Sequence, residues 1–181
     1  MSEPTVPDPA WWQADPDRWE LLAFDGRYDA EGLPYDAGWK DREEVLDLLL
    51  ADPGPCSADF ARFLLRQEIL GHGHAWGYSD RVGMAALLVA EQRRIEDVWL
   101  LWEAKSRSFD TFCGLPEVFL VVNGVERTLE YIRAGDGPGR DWCLEFLDGM
   151  ASVTDEAVAE KLVRMREYYG ELRELRSDEP A

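Results

Sequence analysis

The spacing of apolar residues along the chain predicts a protein built from helices. From residue 41 onward, apolar side chains recur three and four positions apart, which is the period of one face of an α-helix. The first stripe stops at residues 52–55, Asp-Pro-Gly-Pro, a sequence that breaks a helix. No segment shows a convincing alternation of apolar and polar residues, which is the pattern typical of a strand. We therefore expect an all-α fold with eight or nine helices.

Capping residues set the expected boundaries of these helices. Ser57 is predicted to be the N-cap of a helix over residues 58–70, with Gly71 as its C-cap. The next helix is expected to start at Ser79 or Asp80 and to end near Gln92. Further helices are predicted over residues 95–105, 116–122, 125–134, 142–150 and 154–176.

The first forty residues differ from the rest because they are rich in both proline and aromatic residues. They contain half of the ten prolines and seven aromatic side chains. Asp15-Pro16 resembles an N-cap followed by proline at the first helical position, which predicts a short helix over residues 17–24. We expect residues 1–40 to form an irregular wrap packed on the first helices. An aromatic surface that docks a partner is the alternative.

The chain also resembles itself loosely at an offset of 33 residues. This offset places residues 87–89, Leu-Leu-Val, over residues 120–122, Leu-Val-Val, and Arg94 over Arg127. A short apolar helix, a tight turn and a longer amphipathic helix in succession are typical of stacked helix hairpins. Residues 41–176 are therefore expected to form one helical-repeat domain, an αα-superhelix, followed by a tail over residues 177–181.

Part of this region resembles an ankyrin repeat over about 50 of the 181 residues. The likeness rests on residues 86–90 (Ala-Leu-Leu-Val-Ala), 95–101 (Ile-Glu-Asp-Val-Trp-Leu-Leu), Asp110, 120–122, Val125, 129–132 (Leu-Glu-Tyr-Ile) and 135–136 (Gly-Asp). The family's Thr-Pro-Leu-His tetrapeptide is missing, and Cys-Gly-Leu-Pro at residues 113–116 stands roughly in its place. The resemblance implies protein recognition through a concave face and loop tips, without catalysis.

The net charge of the chain limits the kinds of macromolecule expected as its partner. Of the 181 residues, 46% are apolar, which is enough to bury a core. The 37 acidic and 19 basic residues give a net charge of -18 and an isoelectric point of about 4.4. Nucleic acids and anionic membranes carry the same sign of charge, which argues against both as partners. We expect a basic protein as the partner.

The cysteines and the N-terminal sequence indicate a cytoplasmic protein. Cys56, Cys113 and Cys143 are odd in number and contain no Cys-x-x-Cys pair, so no disulfide framework is expected. The N-terminal residues lack the basic and apolar regions of a signal peptide. The longest apolar run has about seven residues, against the ~20 that span a bilayer.

The two histidines of the chain form the one cluster suited to metal or acid–base chemistry. His72 and His74 lie two positions apart in a glycine-rich loop and, in one hypothesis, bind zinc together with Cys113 or Cys143. In the alternative that we prefer, they cap a helix end or pack beside the aromatic residues Trp76 and Tyr78. No cofactor is therefore expected. Residues 135–139, Gly-Asp-Gly-Pro-Gly, lack the features of a phosphate or calcium loop and are predicted to be a flexible turn.

Two helical patterns leave a structural and a binding interpretation open. Trp99 and Trp102 are three positions apart on one helix and form either a core stripe or an exposed binding ridge. The last helix carries apolar residues that step by four and three, as in a short coiled-coil seam. That seam would either cap the domain or form a homodimer, and it consists of Val158, Leu162, Met165, Tyr169 and Leu172.

These observations favour a non-enzymatic, acidic protein–protein interaction module. An immunity or antitoxin protein that acts against a basic toxin such as a nuclease is one form of it, because opposite charges speed association. The alternatives are a metal-dependent or hydrolytic enzyme that uses the loop at residues 72–74, and a structural homodimer. The binding residues are expected at loop tips and exposed aromatic positions, namely His72, His74, Trp76, Tyr78, Asp110 and Asp136.

Overall fold

The structure, a computed structural model, confirms the all-α fold class. It describes residues 7–32, 34–51, 54, 56–74, 77–150 and 152–177. Within these residues the α-helices are α1 (Pro9–Gln13), α2 (Trp39–Ala51), α3 (Ala58–His72), α4 (Asp80–Glu91), α5 (Val98–Ser106), α6 (Phe109–Gly114), α7 (Val125–Ala134), α8 (Arg140–Asp148) and α9 (Asp155–Ser177). Three 3-10 helices cover Pro16–Leu22, Ile95–Asp97 and Glu117–Val121. Strands β1 (Arg27–Tyr28) and β2 (Pro34–Tyr35) form a short antiparallel pair.

Most helix boundaries agree with the sequence pattern, and the exceptions have local causes. The hydroxyl of Ser57 accepts a hydrogen bond from the Phe60 amide at 3.3 Å, which confirms the predicted N-cap of α3. The predicted C-cap at Gly71 is wrong. α3 continues to His72 and ends at Gly73, whose amide bonds to the carbonyl of Ile69.

α6 is a helix that the sequence pattern did not predict. Ser108 and Thr111 form a capping box, in which each side chain accepts a hydrogen bond from the backbone amide of the other residue. Thr111 takes the place of the Glu or Gln that usually completes this motif. The helix has only six residues, so its apolar positions form no recognisable period.

The N-terminal segment packs its aromatic residues against α3. Asp15 caps the following helix as predicted, but that helix is of the 3-10 type and covers Pro16–Leu22. The ring of Trp19 lies 5.2 Å from that of Phe60 and 5.3 Å from that of Phe63, measured between centroids. Strands of two residues are too short for an alternating pattern, which explains why β1 and β2 were not expected.

α4 lies at the centre of the fold. Every residue from Val82 to Ala90 is buried, so this helix is enclosed on all sides. It contacts α2, α3, α5, α9 and the 3-10 helix at 117–121, and it packs most extensively against α3. A helix that is apolar all round must be surrounded in this way to be stable in water.

The expected array of repeated hairpins is not confirmed. Residues 87–89 lie in the 12-residue helix α4, whereas the residues aligned with them at an offset of 33 lie in and just after a five-residue 3-10 helix. The two segments therefore have different conformations.

In the described part of the chain, no helix has the length and apolar content that a membrane span requires.

α9 closes the domain over α2, α4 and the 3-10 helix at 117–121. The apolar seam predicted on this helix packs into the core of the same chain. Its buried members are Val158, Leu162 and Tyr169, and its partly buried members are Met165 and Leu172. Three of the five side chains are therefore covered within the chain itself, as expected of a capping helix.

Two arginines fasten α9 to its neighbours. Arg166 forms a two-pronged ion pair with Glu91, with both nitrogen–oxygen distances at 2.8 Å. Arg176 donates to Glu43 at 3.2 Å and to Asp47 at 2.7 Å. The first pair lies at the middle of α9 and the second lies near its C-terminal end. Positive charge near the C-terminus of a helix interacts favourably with the helix dipole.

Close packing against α4 requires a glycine at one position. The hydroxyl groups of Tyr169 and Tyr78 both lie over Gly83, and a methyl group there would overlap with them. Tyr169 is almost fully buried, so it has no room to move aside. Burial also raises the pKa of Tyr78 to about 12, which keeps its phenol neutral.

We predict opposite effects for two helix-interior glycine substitutions. Gly83→Ala should lower the free energy of unfolding by about 1–3 kcal/mol, because the added methyl overpacks the core. Gly170→Ala should raise it by about 0.5–1 kcal/mol, because alanine favours the helix and no atom lies within 4 Å of the new methyl. Urea unfolding followed by circular dichroism measures both. A Gly83→Ala variant as stable as the natural protein would show that Tyr78 and Tyr169 can move aside to make room for the methyl group.

Candidate functional site

An open groove of about 760 Å³ lies between α3, α5 and the start of α8. Three tryptophans, Trp99, Trp102 and Trp142, form its apolar walls. Its charged lining residues are Arg62, Arg66, Glu96, Asp97 and Glu103. We call this cavity the tryptophan groove.

The tryptophans are held in place by contacts with other aromatic rings. Trp102 is buried and meets Trp142 edge to face, with ring centroids 5.0 Å apart. Trp142 is 47% exposed, and its other ring contact is a stack on Phe112 at 5.3 Å. Trp99 is half-buried. Trp102 is buried in the core and Trp99 packs partly buried against it, which agrees with the core-stripe interpretation, and both residues also border the groove.

A glycine-rich loop, residues 135–139, forms the wall opposite α3. A methyl group on Gly137 would overlap with the indole of Trp99, and one on Gly135 would lie 3.2 Å from the same ring. Gly139 has a φ angle of +69°, and a methyl group there would lie 3.0 Å from Nε1 of Trp102. The loop predicted as a flexible turn is instead packed against two tryptophans, and its glycines permit this close approach.

Arg62 gathers three carboxylates at the edge of the groove. Its Nε donates to Asp97 at 2.6 Å, and its two terminal nitrogens donate to Glu96 at 3.1 Å and to Asp59 at 3.3 Å. The hydrogen bond with Asp97 is the main reason that the pKa of Arg62 is raised. One guanidinium therefore faces three negative charges.

Asp97 is the most buried of these carboxylates. Its side chain is 5% exposed, and its second oxygen, Oδ2, is buried with no hydrogen-bond partner among the described residues. The groove lining has three carboxylates, those of Glu96, Asp97 and Glu103, and two guanidinium groups, those of Arg62 and Arg66. The lining is therefore negative by one charge.

The sequence-predicted site residues fall in separate places. His72 and His74 line a second, smaller cavity of about 260 Å³. Asp110 accepts a hydrogen bond from the Gly77 amide at 3.1 Å and so anchors the nearby loop. Tyr78 packs inward, as described above, and Trp76 lies outside the described residues. Asp136 is exposed on the glycine-rich loop, close to the tryptophan groove and away from the others.

His72 is buried, whereas His74 is exposed. Nε2 of His72 lies 3.2 Å from the hydroxyl of Ser108, and its Nδ1 has no partner among the described residues. Burial is the main cause that lowers the pKa of His72. The His74 ring stacks on Phe24 at 5.6 Å. The histidines therefore pack within the chain on Ser108 and Phe24, and of the neighbours predicted for them Trp76 lies outside the described residues.

The cysteines offered as further zinc ligands do not complete a metal site with this loop. Cys143 is buried in the core on α8, and Cys113 is exposed on α6. Over the described ranges, no group of three or more His, Cys, Asp or Glu side chains is placed to hold a metal ion.

A buried ion network forms the base of the smaller cavity. Arg42 is fully buried and donates to Glu68 at 2.7 Å, to the Leu22 carbonyl at 3.1 Å and to Asp36. Arg81 donates to the second oxygen of Glu68 at 3.1 Å. The network links the N-terminal segment to α2, α3 and α4, so its partners are already supplied within the chain.

Comparison of the chain with known protein families, curated proteins and solved structures finds no match. The function is therefore inferred from the geometry of its own residues. The sequence analysis did not single out Trp142 on α8, Arg62 and Arg66 on α3, or Asp97 in the 3-10 helix before α5 as site residues. The available signal was the alternation of glycine at 135, 137 and 139, a spacing suited to backbone that lies flat on a ring.

We predict that Gly137→Ala disrupts the tryptophan groove. Displacing Trp99 should cost about 1–3 kcal/mol of stability and should change the near-ultraviolet circular dichroism of the tryptophans. Gly149→Ala is the matched control, because its new methyl would meet only the Phe146 carbonyl at 3.7 Å. The control should stay within about 0.5 kcal/mol of the natural protein. Equal spectra for all three proteins would contradict the packed loop.

Burial of neutral His72 predicts a loss of stability as the pH falls. The pKa of His72 is lower in the folded state than in the unfolded chain. Between the ordinary histidine pKa, about 6.5, and this lowered value, the unfolded chain therefore binds more protons than the folded protein does. The urea midpoint should therefore decrease on going from about pH 7.5 to about pH 5.5. His72→Gln should reduce this dependence, whereas His74→Gln should retain it. An unchanged slope in the His72 variant would rule out this residue as the cause.

Proposed function

We propose that the protein is a non-enzymatic binding module that holds a basic segment of a partner protein in the tryptophan groove. The observation that carries this proposal is the combination of three tryptophan walls with a net negative lining. Aromatic faces and carboxylates together suit a segment that is both apolar and cationic.

The apolar half of the proposal rests on exposed aromatic area. Trp142 lines the groove and is 47% exposed. Large apolar side chains in water carry a free-energy cost that a partner relieves on binding. Tryptophan is also among the residues that contribute most to protein interfaces.

The charge half of the proposal rests on both local and overall charge. The lining of the groove is negative by one charge, and the whole chain has a net charge of -18. Fields of this kind attract a cationic partner over distances up to the Debye length, about 10 Å at 0.1 M salt. An immunity or antitoxin protein that covers a basic toxin is one biological role that fits this attraction.

The test uses a fluorescently labelled peptide of alternating leucine and arginine, with a leucine–glutamate peptide as the charge control. We expect the basic peptide to bind and the acidic one to fail. Trp142→Ala should weaken binding by about fivefold, since a truncated interface tryptophan costs at least about 1 kcal/mol. Fluorescence anisotropy at low and high salt measures both effects, and high salt should weaken binding.

Trp11→Ala is the matched control for this experiment. Trp11 is 40% exposed, close to the value for Trp142, but it lies on α1 and does not line the groove. Its variant should bind like the natural protein. Equal losses in both variants would indicate non-specific binding to exposed tryptophan, and no binding of the basic peptide at low salt would contradict the proposed function.

A further inference from the structure

We infer that the tryptophan groove selects one arginine side chain of the partner at the end formed by Asp97, Trp99 and Glu103. This inference rests on the proposed function and specifies its ligand chemistry. An arginine guanidinium is planar, always charged and suited to stacking on indole, whereas the lysine ammonium is a compact point charge.

The first observation is a buried carboxylate that lacks a full set of partners. Asp97 occupies the N-cap position of α5 but makes no capping hydrogen bond. Its Oδ1 accepts from Arg62, and its buried Oδ2 accepts from no described residue. Buried polar atoms without partners are uncommon in proteins, because the loss of water is not compensated. A positive charge placed in the groove would compensate the negative charge of the Asp97 carboxylate.

Arg62 does not supply the missing charge. All three of its nitrogens are engaged, one each with Asp97, Glu96 and Asp59. Of the carboxylates that share its single positive charge, Glu96 and Asp97 line the groove, which leaves an excess of one negative charge there. Arg66, one turn further along α3, is the other cation of the lining, and its charge is matched in number by the carboxylate of Glu103.

Two carboxylates would act on the ligand in different ways. Asp97 lines the groove but its Oδ2 is buried, so it attracts a cation through the field in the cleft and not by direct contact. Glu103 is exposed on α5 and lines the groove, so it is available to pair directly with the guanidinium. Glu103 makes a charge-assisted hydrogen bond in this arrangement, and Asp97 sets the sign of the charge that is accepted.

The tryptophan faces provide the second part of the selection. Gly137 covers part of the Trp99 ring, and the remainder of this half-buried indole faces the groove. A guanidinium within about 6 Å of an indole centroid is attracted to the ring electrons. This attraction acts on charge and planarity together, so it favours arginine over an uncharged side chain of the same shape.

The experiment compares three blocked peptides of sequence Ser-Leu-X-Leu-Ser, in which X is arginine, citrulline or norleucine. Citrulline has nearly the shape of arginine without its charge, and norleucine is apolar. Isothermal titration on the natural protein should show binding of the arginine peptide about fivefold tighter than of either other peptide. Asp97→Asn and Glu103→Gln should each reduce this preference towards one.

Asp59→Asn is the matched control variant. Asp59 pairs with the same Arg62 and loses the same charge, but its side chain is 80% exposed and does not line the groove. We expect it to keep the preference for arginine. If Asp97→Asn fails to fold, the exposed Glu103 variant and the peptide comparison on the natural protein still decide the outcome.

The possible failures separate the two proposals. Equal affinity for all three peptides, still dependent on Trp142, would overturn arginine selection and leave the binding groove in place. Loss of the arginine preference in Asp59→Asn as well would attribute it to overall charge and overturn the role of Asp97. No binding of any peptide, together with failure of the longer basic peptide, would contradict both proposals.

Discussion

The fold depends on the burial of α4 on every side. Nine consecutive residues, Val82 to Ala90, have no exposed face, so the helices around them are held wherever they can cover this apolar surface. Small residues on α4 allow the surrounding elements to pack closely against it. Gly83 admits the hydroxyl groups of Tyr78, which precedes α4, and of Tyr169 on α9. The long helix α9 completes this enclosure through Val158, Leu162 and Tyr169.

Burial of α4 also explains why ionic groups lie inside the molecule. The helix starts beside Glu68 of α3, and Arg81 from its first turn shares that carboxylate with Arg42. Each charge is costly to remove from water, and removing one partner would leave the others uncompensated. The network therefore fixes the angle at which the N-terminal segment meets α2 and α3. Its closed set of contacts contrasts with the incomplete set at Asp97.

The sequence predicted what local periodicity determines, and little of what distant contacts determine. The helix over 125–134 was placed correctly because its apolar stripe is strongly amphipathic. α6 was missed because it is a single turn and a half, stabilised by a serine–threonine capping box. The groove was missed for a different reason. Arg62 and Asp97 are 35 residues apart, and Trp142 lies a further 45 residues along, so no spacing rule brings them together.

The tryptophan groove combines several features that are unfavourable for the stability of the fold. A glycine loop gives up conformational entropy to lie on Trp99, Trp142 remains 47% exposed, and a buried carboxylate oxygen of Asp97 has no donor among the described residues. Elsewhere in the described chain, charges such as Arg42 and Arg166 are paired, whereas Nδ1 of His72 and the hydroxyl of Tyr78 are two neutral buried atoms without a partner. Departures from local consistency are expected where a protein serves a ligand and not only its own fold. Their convergence on one groove therefore supports binding at this place over any surface chosen by charge alone.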